Sequence, residues 1–187
     1  MIFASNNQGK ISEIKKIFND YEILSLKDVN IDIDIKENGN TYYENALIKA
    51  KKIYELTKIP TIADDSGLEI LGLNNYPGIN THRICDDETK RNLIFIEKTR
   101  NINDKRIQAV CTLVYYDGIN IISATGYLKG LITDKIYDGN GFGFDKIFRL
   151  ENGKVVSELT MEEKNKISAR SNAARLLKEK LKNIVIE

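Results

Sequence analysis

Cysteine and histidine are scarce in this sequence, and their scarcity excludes several kinds of site. The 187 residues include two cysteines, Cys85 and Cys111, with no CxxC pair, so neither a disulfide framework nor a structural zinc site is expected. We expect both to be buried thiols in a reducing compartment. The single histidine, His82, has no second histidine to orient it. Because no GxSxG or paired Cys/His arrangement occurs either, covalent catalysis has no visible nucleophile.

An excess of charge of one sign and long apolar runs are also absent. The chain has 28 Lys and Arg residues against 27 Asp and Glu residues, a net charge of +1. That balance offers no general field for a nucleic-acid backbone, although a few converging lysines would still bind a small anion. No apolar run reaches the roughly 18 residues of a membrane span, and no basic leader opens the sequence. We therefore expect a cytoplasmic protein without a membrane partner.

The remaining composition is that of an ordinary globular protein. Hydrophobic residues make up 42% and charged residues 29% of the chain, which is enough to build a packed core. No internal repeat and no linker rich in glycine, serine or proline divides the sequence. We therefore expect a single domain over residues 1–187.

Strand-like and helix-like patterns alternate along the chain. Met1–Ser5 is a short apolar run that predicts a strand, and isoleucines at helical spacing follow it directly. Capping-box patterns that begin at Thr41 and Thr160 predict the starts of two further helices, and Glu88–Thr99 is predicted to be another. Asp117-Gly118 between two β-rich runs predicts a hairpin. The mixture of βα units with a hairpin indicates an α/β fold with a mixed sheet.

Two short segments offer groups for a phosphate and for a cation. The polar loop Ser5–Lys10 joins the first strand to a helix, where free backbone N–H groups and the helix dipole suit a phosphate. A lysine in the first turn is unfavourable for the helix unless an anion lies nearby. The segment Asp64-Asp65-Ser66-Gly67 follows an apolar strand, and two carboxylates at a strand end are what a hard cation requires. Taken singly, each segment would also fit an ordinary solvated turn.

The helix that begins after Thr41 and the loop before it supply further candidates. Asn45 and Lys49 lie four residues apart and therefore on one face of that helix. Glu44 is the expected capping partner of Thr41. Glu37 has no such role, so it is the better candidate for a second metal ligand. Taken alone, Lys49 could also be an ordinary surface lysine.

The glycine loop GNGFGFDKIF and the last predicted helix complete the set. Glycines let a backbone approach a flat ligand, so Phe142 or Phe144 could stack on a base while Asp145 accepts hydrogen bonds from its edge. Lys164 and Arg170 are predicted in the final helix, near enough to its start to lean over one pocket. Core phenylalanines and solvated cations would explain these residues equally well.

Taken in order, the segments of this chain resemble the inosine triphosphate pyrophosphatase family of XTP/dITP diphosphatases. The matching stretches cover nearly the whole sequence, and they are FASNNQGK, ENGNTYYENALIKA, IADDSGLEI, PGINTHR, GFGFDKIF and ELTMEEKNKISARSNA. Each stretch is a weak signal alone, whereas all of them in this order are highly specific.

The resemblance implies a fold, a reaction and a set of site residues. The fold is α/β, an elongated mixed β-sheet flanked by helices, with two lobes and a central cleft. The reaction is the Mg²⁺-dependent hydrolysis of non-standard purine nucleoside triphosphates (ITP, dITP, XTP) to the monophosphate and pyrophosphate, by a protein that is usually a homodimer. The catalytic base would be Asp65, and the metal ligands would be Glu37 and Asp65. The substrate contacts would be Ser5, Asn6, Asn7, Gln8, Gly9, Lys10, Lys49, Ser66, Phe142, Gly143, Phe144, Asp145, Lys164, Ala169 and Arg170.

The implied reaction agrees with the chemistry of the residues, and the departures concern base recognition. Hydrolysis between the α- and β-phosphates needs Mg²⁺ and lysines to neutralise charge and a carboxylate to deprotonate water. Ala169 stands where the family usually has the histidine of SHR. Phe144 and Lys146 stand where it usually has a tyrosine and a proline, and THR replaces SAR after PGIN.

Two other interpretations remain open at this stage. A Maf-like pyrophosphatase of different base preference would need an N-terminal loop of the Ser-x-Ser-Pro-Arg type, which this chain lacks. A nucleotide-binding sensor without turnover would fit the altered base contacts. It would not explain the presence of Lys10, Glu37, Asp64 and Asp65.

Overall fold

The computed structural model of the chain describes residues 1–182 and has an α/β architecture. Its strands are β1 (Ile2–Phe3), β2 (Leu24–Ser25), β3 (Thr61–Ile70), β4 (Tyr76–Gly78), β5 (Arg106–Tyr116), β6 (Ile121–Ile132) and β7 (Phe148–Arg149). Its helices are α1 (Gln8–Ile17), α2 (Tyr42–Thr57), α3 (Glu88–Thr99), α4 (Met161–Ile167) and α5 (Ala169–Lys182). Short 3-10 turns occupy Leu71–Leu73, Thr81–Arg83, Asp145–Ile147 and Val156–Glu158.

The strands form a mixed sheet. Within residues 1–182 the strand order is β2-β1-β3-β5-β6-β7, and β4 pairs with β3. Strand β1 is parallel to both β2 and β3, whereas β4 is antiparallel to β3 and β7 is antiparallel to β6. The predicted mixed sheet is therefore confirmed. The predicted hairpin is confirmed as well, because β5 and β6 flank Asp117-Gly118.

Helices begin where the sequence provides capping side chains. Asn7 Oδ1 accepts a hydrogen bond from the Lys10 N–H at 3.1 Å, so α1 starts directly after the first strand and its loop. Thr41 Oγ1 accepts from the Glu44 N–H at 3.1 Å at the start of α2, as predicted. The expected return bond from Thr41 to the Glu44 side chain is replaced by one from the Asn40 N–H to Glu44 Oε2 at 2.6 Å. These bonds satisfy backbone donors that have no partner within the helix. Helix α3 has the predicted bounds, Glu88–Thr99.

The helix that was predicted to carry both Lys164 and Arg170 is in fact two helices. Helix α4 ends at Ile167 and α5 begins at Ala169. Between them, Ser168 has a ψ of 150°, which lies outside the helical range. Serine favours the extended backbone of an N-cap position. The prediction of one continuous helix is therefore wrong, and the two cations lie on different elements.

The chain divides into two compact units, each with its own core. The first unit comprises Met1–Ser66, Cys111–Gly126 and the chain from Ala169 onward, and the second comprises Gly67–Val110 and Tyr127–Ser168. The first core is built from Ile2, Ala4, Leu26, Ala46, Ala50, Ile53, Ala63 and Val114. Large buried side chains of the second unit are Leu68, Ile70, Phe95, Ile107 and Phe148.

Three sequence-based expectations bear on the chain as a whole. No helix in residues 1–182 is long and apolar enough to cross a membrane. Cys111 is buried as expected, whereas Cys85 is only partly buried. The single domain over 1–187, the elongated shape and the cleft stay predictions.

Candidate active site

Asp64 lies within β3 and is kept ionised by two cations. The expectation that Asp64 and Asp65 follow the end of the strand is therefore wrong, because β3 continues to Ile70. Its side chain is buried, and its Oδ2 accepts hydrogen bonds from Lys10 Nζ at 3.0 Å and from Arg170 Nη2 at 3.1 Å. Burial alone would raise the pKa of this carboxyl, but Lys10 and Arg170 outweigh burial and hold the pKa well below its usual range. Asp64 is therefore a fixed negative charge at neutral pH and not a proton acceptor.

Asp65, the next residue, has the opposite pKa shift. Adjacent residues of a strand point to opposite sides, so its carboxyl meets different neighbours. Its Oδ2 accepts from Asn45 Nδ2 at 2.9 Å and its Oδ1 accepts from the Ser66 N–H at 2.9 Å. Burial is the main cause that raises the pKa of Asp65 to about 6, and the nearby charges of Glu37 and Asp64 add to it. A carboxylate with that pKa is suited to take a proton from water near neutral pH.

Lys49 approaches the same carboxylates from α2. Its Nζ donates to Glu37 Oε1 at 2.9 Å. Burial opposes the charge of this ammonium, but Asp64, Glu37 and Asp65 outweigh burial and raise the pKa of Lys49. The structure thus brings together two residues that were predicted as metal ligands and one that was predicted to bind phosphate.

The loop between β1 and α1 presents backbone donors next to Lys10. The side chains of Ser5 and Asn6 hold the loop, since each accepts a hydrogen bond from a backbone N–H at 3.1 Å. Across residues 1–182, hydrogen-bond acceptors are lacking for the N–H groups of Asn6, Gln8 and Gly9. Free donors at the start of a helix suit a phosphate group. The loop therefore offers donors that a phosphate could use, and its phosphate-binding role stays a prediction.

Arg170 has its contacts among acidic residues of the first unit. Its Nη1 donates to Glu13 Oε2 at 2.9 Å, and its Nη2 donates to Asp64 and, at 3.3 Å, to Ser66 Oγ. Burial opposes this charge, but Asp64 and Glu13 outweigh burial and raise the pKa of Arg170. The resemblance groups Arg170 and Ala169 with the nucleobase residues. Ala169 is buried at the start of α5, and the base-contacting role of both residues stays a prediction.

Glu13 is a member of this group that sequence reasoning missed. It is fully buried in α1, and its position three residues after Lys10 places both on one face of the helix. That spacing is the signal that could have found it. We call the whole group the carboxylate cluster, and its members are Lys10, Glu13, Glu37, Asn45, Lys49, Asp64, Asp65, Ser66 and Arg170.

A second cluster lies in the other unit, where Lys164 contacts the glycine loop. Its Nζ donates to Asp145 Oδ2 at 2.6 Å and lies 3.8 Å from the centroid of the Phe142 ring. The Phe142 N–H donates to the same Asp145 oxygen at 2.8 Å. An ammonium over a ring face is an attractive contact. We call Phe142, Gly143, Phe144, Asp145 and Lys164 the glycine-loop cluster.

Asn92 supports the glycine loop and was not predicted. This buried side chain of α3 donates from Nδ2 to the Gly143 carbonyl at 2.9 Å. Gly143 has a φ of +69°, a conformation that favours glycine. The Phe144 ring packs beside the Phe148 ring, with centroids 6.3 Å apart. A polar residue on the buried face of α3 is the signal that could have pointed to Asn92.

Two carboxylates are the candidates for holding Mg²⁺. In the part of the chain that the structure describes, no three or more His, Cys, Asp or Glu side chains are grouped to hold a metal ion. Mg²⁺ is commonly bound by only one or two protein carboxylates together with water and phosphate oxygens. The charge of Glu37 raises the pKa of Asp65, and a divalent cation would remove that repulsion. The donor set therefore fits Mg²⁺.

Comparisons with known proteins agree with one another. The Ham1 family profile matches residues 1–180. A curated protein named dITP/XTP pyrophosphatase from Staphylococcus aureus (strain MRSA252) is 38% identical over 186 residues, which covers 95% of this chain and 93% of that protein. The solved Ham1 protein of Staphylococcus aureus is 36% identical with a TM-score of 0.88, and 98% of each chain is covered. A HAM1 protein from Coxiella burnetii is 30% identical with a TM-score of 0.88, and covers 97% of this chain and 98% of its own. The chain belongs to the Ham1 family.

Proposed function

We propose that this chain hydrolyses non-standard purine nucleoside triphosphates (ITP, dITP and XTP) to the monophosphate and pyrophosphate in a Mg²⁺-dependent reaction. The observation that carries the proposal is the pair Asp64 and Asp65, adjacent carboxylates with opposite pKa shifts. When the environment pushes the pKa values of two neighbouring groups apart in this way, one group serves as a fixed charge and the other as the acid–base group. Similarity to proteins named dITP/XTP pyrophosphatase supports the substrate class.

The carboxylate cluster supplies the groups for attack at the α-phosphorus. The free N–H groups of the Ser5–Lys10 loop, together with Lys10 and Lys49, bind the phosphates. Glu37 and Asp65 would hold Mg²⁺, which neutralises phosphate charge when it is bound. Asp65 accepts the proton of the attacking water while the bond from the α-phosphorus to its bridging oxygen breaks.

The fixed charges around that reaction have a separate task. Asp64 keeps Lys10 in place, and it shares Arg170 with the buried Glu13. Because these groups are already oriented before substrate binds, little reorganisation is needed as charge develops. Asp64 acts in this scheme as an anchor for cations and not as the base.

The glycine-loop cluster is suited to binding a purine. Phe142 offers a ring for stacking, Lys164 offers a donor to a 6-oxo group, and Asp145 offers an acceptor. An adenine 6-amino group would leave two donors facing each other, which such a site rejects strongly. This arrangement favours inosine and xanthosine nucleotides over ATP.

Membership in the Ham1 family argues against the Maf-like alternative. The raised pKa of Asp65 is a feature of an acid–base group, which argues against a sensor without turnover. We also propose that the protein is a cytoplasmic homodimer that has no nucleic-acid partner. Light scattering during size-exclusion chromatography tests the dimer, and a single-chain mass would contradict it.

The reaction is tested by incubating the purified protein with ITP, dITP, XTP, ATP and GTP, each with Mg²⁺ or EDTA. We expect monophosphate and pyrophosphate, separated by ion-exchange chromatography, and no product in EDTA. Asp65→Asn should lower kcat by about 10³-fold, since a positioned general base contributes about 10²- to 10⁴-fold. The matched control is Asp86→Asn, the same change at an exposed acid.

Three results would contradict the proposal in different ways. Orthophosphate as the product would place the cleavage at a different phosphorus. Tight nucleotide binding without turnover would favour the sensor. Turnover near the wild-type rate in Asp65→Asn would remove Asp65 as the base and leave the substrate assignment intact.

A further inference from the structure

Asn45 is a buried amide that contacts both Asp65 and the loop that carries Glu37. It lies in α2 with 0% exposure. Its Nδ2 donates to Asp65 Oδ2 at 2.9 Å, and its Oδ1 accepts from the Gly39 N–H at 2.8 Å. Gly39 is two residues after Glu37. One side chain therefore connects the two segments that supply the proposed metal ligands.

The loop is packed closely against α2 at this point. A Cβ at Gly39 would lie 2.6 Å from the Glu44 Cβ and 2.8 Å from Asn45 Oδ1. Only glycine allows the backbone to approach the amide this closely. The Asn40 N–H also donates to Glu44 Oε2 at 2.6 Å. Two consecutive backbone N–H groups of the loop are thus bonded to side chains of α2.

The chemistry of the two contacts selects an amide at position 45. An ionised Asp65 only accepts hydrogen bonds, whereas the Gly39 N–H only donates. A side chain that serves both must carry a donor and an acceptor, and the asparagine amide has one of each. Aspartate would lose the donor toward Asp65, and leucine of similar size would lose both groups.

We propose that Asn45 is a positioning residue that sets the Asp65 carboxylate and the Glu37 loop for joint binding of Mg²⁺. The inference rests on the proposed function, in which Glu37 and Asp65 are the metal ligands. Asn45 acts through these residues and does not itself contact metal or substrate. Groups that orient metal ligands contribute about 10- to 100-fold to metal affinity or activity.

The first measurement is the Mg²⁺ affinity of the nucleotide-free protein by calorimetry, with Mn²⁺ as a second probe. Asn45→Leu keeps the approximate volume and removes both bonds, and should weaken affinity at least about 10-fold. The control is Thr41→Ala, which removes the α2 cap and costs helix stability without touching the amide contacts. The Mg²⁺ affinity of Thr41→Ala should remain within about twofold of the wild type. That change is much smaller than the loss of at least about 10-fold expected when the metal ligands are no longer oriented.

The second measurement is amide hydrogen exchange at Gly39, which needs no metal. The Gly39 N–H should exchange faster in Asn45→Leu because its acceptor is gone. Asn45→Asp retains an acceptor oxygen at this place, so Gly39 should stay protected. Fast exchange in Asn45→Asp, or unchanged exchange in Asn45→Leu, would contradict the contact itself.

The outcomes separate this inference from the proposed function. If the wild-type protein binds metal and the folded Asn45→Leu variant binds it with equal affinity, the inference about Asn45 is overturned and the proposed function is unaffected. Wild-type protein that binds neither Mg²⁺ nor Mn²⁺, either alone or with pyrophosphate added to supply phosphate oxygens, overturns the metal assignment and the inference with it. Should Asn45→Leu not fold by circular dichroism, Asn45→Ala, which also loses both bonds, takes its place with the same expected weakening.

Discussion

The carboxylate cluster and the glycine-loop cluster handle charge in different ways. The first packs buried acids against Lys10, Lys49 and Arg170, and its partners come from distant parts of the chain. The second sets the ion pair of Lys164 with Asp145 against an aromatic ring. Under the proposed function, the first cluster would bind phosphates and a cation, and the second would bind the flat purine.

The two clusters should control different kinetic constants, kcat and KM. Groups that act on charge developing during reaction change kcat, whereas groups that bind substrate and transition state equally change KM. The carboxylate cluster should therefore control kcat and protein stability, and the glycine-loop cluster should control KM.

The largest effect on stability is expected at Arg170. Arg170→Met would leave Asp64 and Glu13 buried without their shared cation, and removing one partner of a buried pair costs about 3–5 kcal/mol. Urea unfolding followed by circular dichroism measures the loss. Arg175→Met, the same change at an exposed residue of α5, should stay within about 0.5 kcal/mol. Equal losses of unfolding free energy in both variants would show that the buried ion pairs of Arg170 contribute no more to stability than a surface arginine does.

A smaller change in the free energy of unfolding, of opposite sign, is expected when Asp65 is replaced. Its folded pKa of about 6 lies above the ordinary 3.8, so the folded protein binds this proton more tightly than the unfolded chain does. The stabilisation is full below pH of about 4 and is lost as pH rises through about 6. At pH 8 in EDTA, Asp65→Asn should therefore be more stable than the wild type by about 3 kcal/mol, because the pKa is raised by about two units and each unit is worth about 1.4 kcal/mol.

The pH dependence of that gain is the decisive measurement. Urea unfolding of both proteins at pH 4 and at pH 8 should show the advantage of Asp65→Asn only at the higher pH. The variant would then gain stability at the position where it loses turnover, as is common for groups strained by function. A difference that is the same at both pH values would contradict the raised pKa.

The smallest effect is expected in the glycine-loop cluster. Lys164→Met removes the cation from Phe142 and Asp145, and should raise KM for ITP about tenfold, the equivalent of about 1.4 kcal/mol of binding. The value of kcat should change by less than about threefold, because the lost contact is made equally in both states. Lys166→Met, at an exposed lysine paired with Glu162, is the control. A fall in kcat at constant KM would break the division between the clusters.

Much of the fold followed from local signals. Thr41 and Thr160 each cap a helix at the place that their capping-box patterns predict, and Asn7 caps α1 although no cap was predicted there. The hairpin turns at Asp117-Gly118, and α3 has the predicted bounds. These features depend on bonds between residues three or four apart, which a sequence pattern contains directly. The interruption at Ser168 was missed because the capping residue is followed by a second helical stretch of similar composition.

Most residues that the structure brings together in the carboxylate cluster were predicted from the sequence, whereas many of their contacts were not. The phosphate loop, the acid pair and Lys49 were found from their residue types, and the structure brings them together. Glu13 and Asn92 were missed because helix spacing and helix face are weak signals by themselves, and their partners Arg170 and Gly143 are distant in the sequence. The contacts of Arg170 with Glu13 and Asp64 join residues 157 and 106 positions apart, and no local pattern contains such pairs.

The sequence by itself determined the mixed sheet, the hairpin at Asp117-Gly118, the starts of α2 and α4 and the presence of two adjacent acids beside an apolar run. Only the tertiary structure decided that the pKa of Asp64 is lowered and that the pKa of Asp65 is raised, as the proposed role of Asp65 as a base requires. The reason is physical, because a pKa depends on burial and on neighbouring charges. Asp64 obtains its cations from Lys10 and Arg170, which are 54 and 106 positions away. Asp65 meets the amide of Asn45 instead.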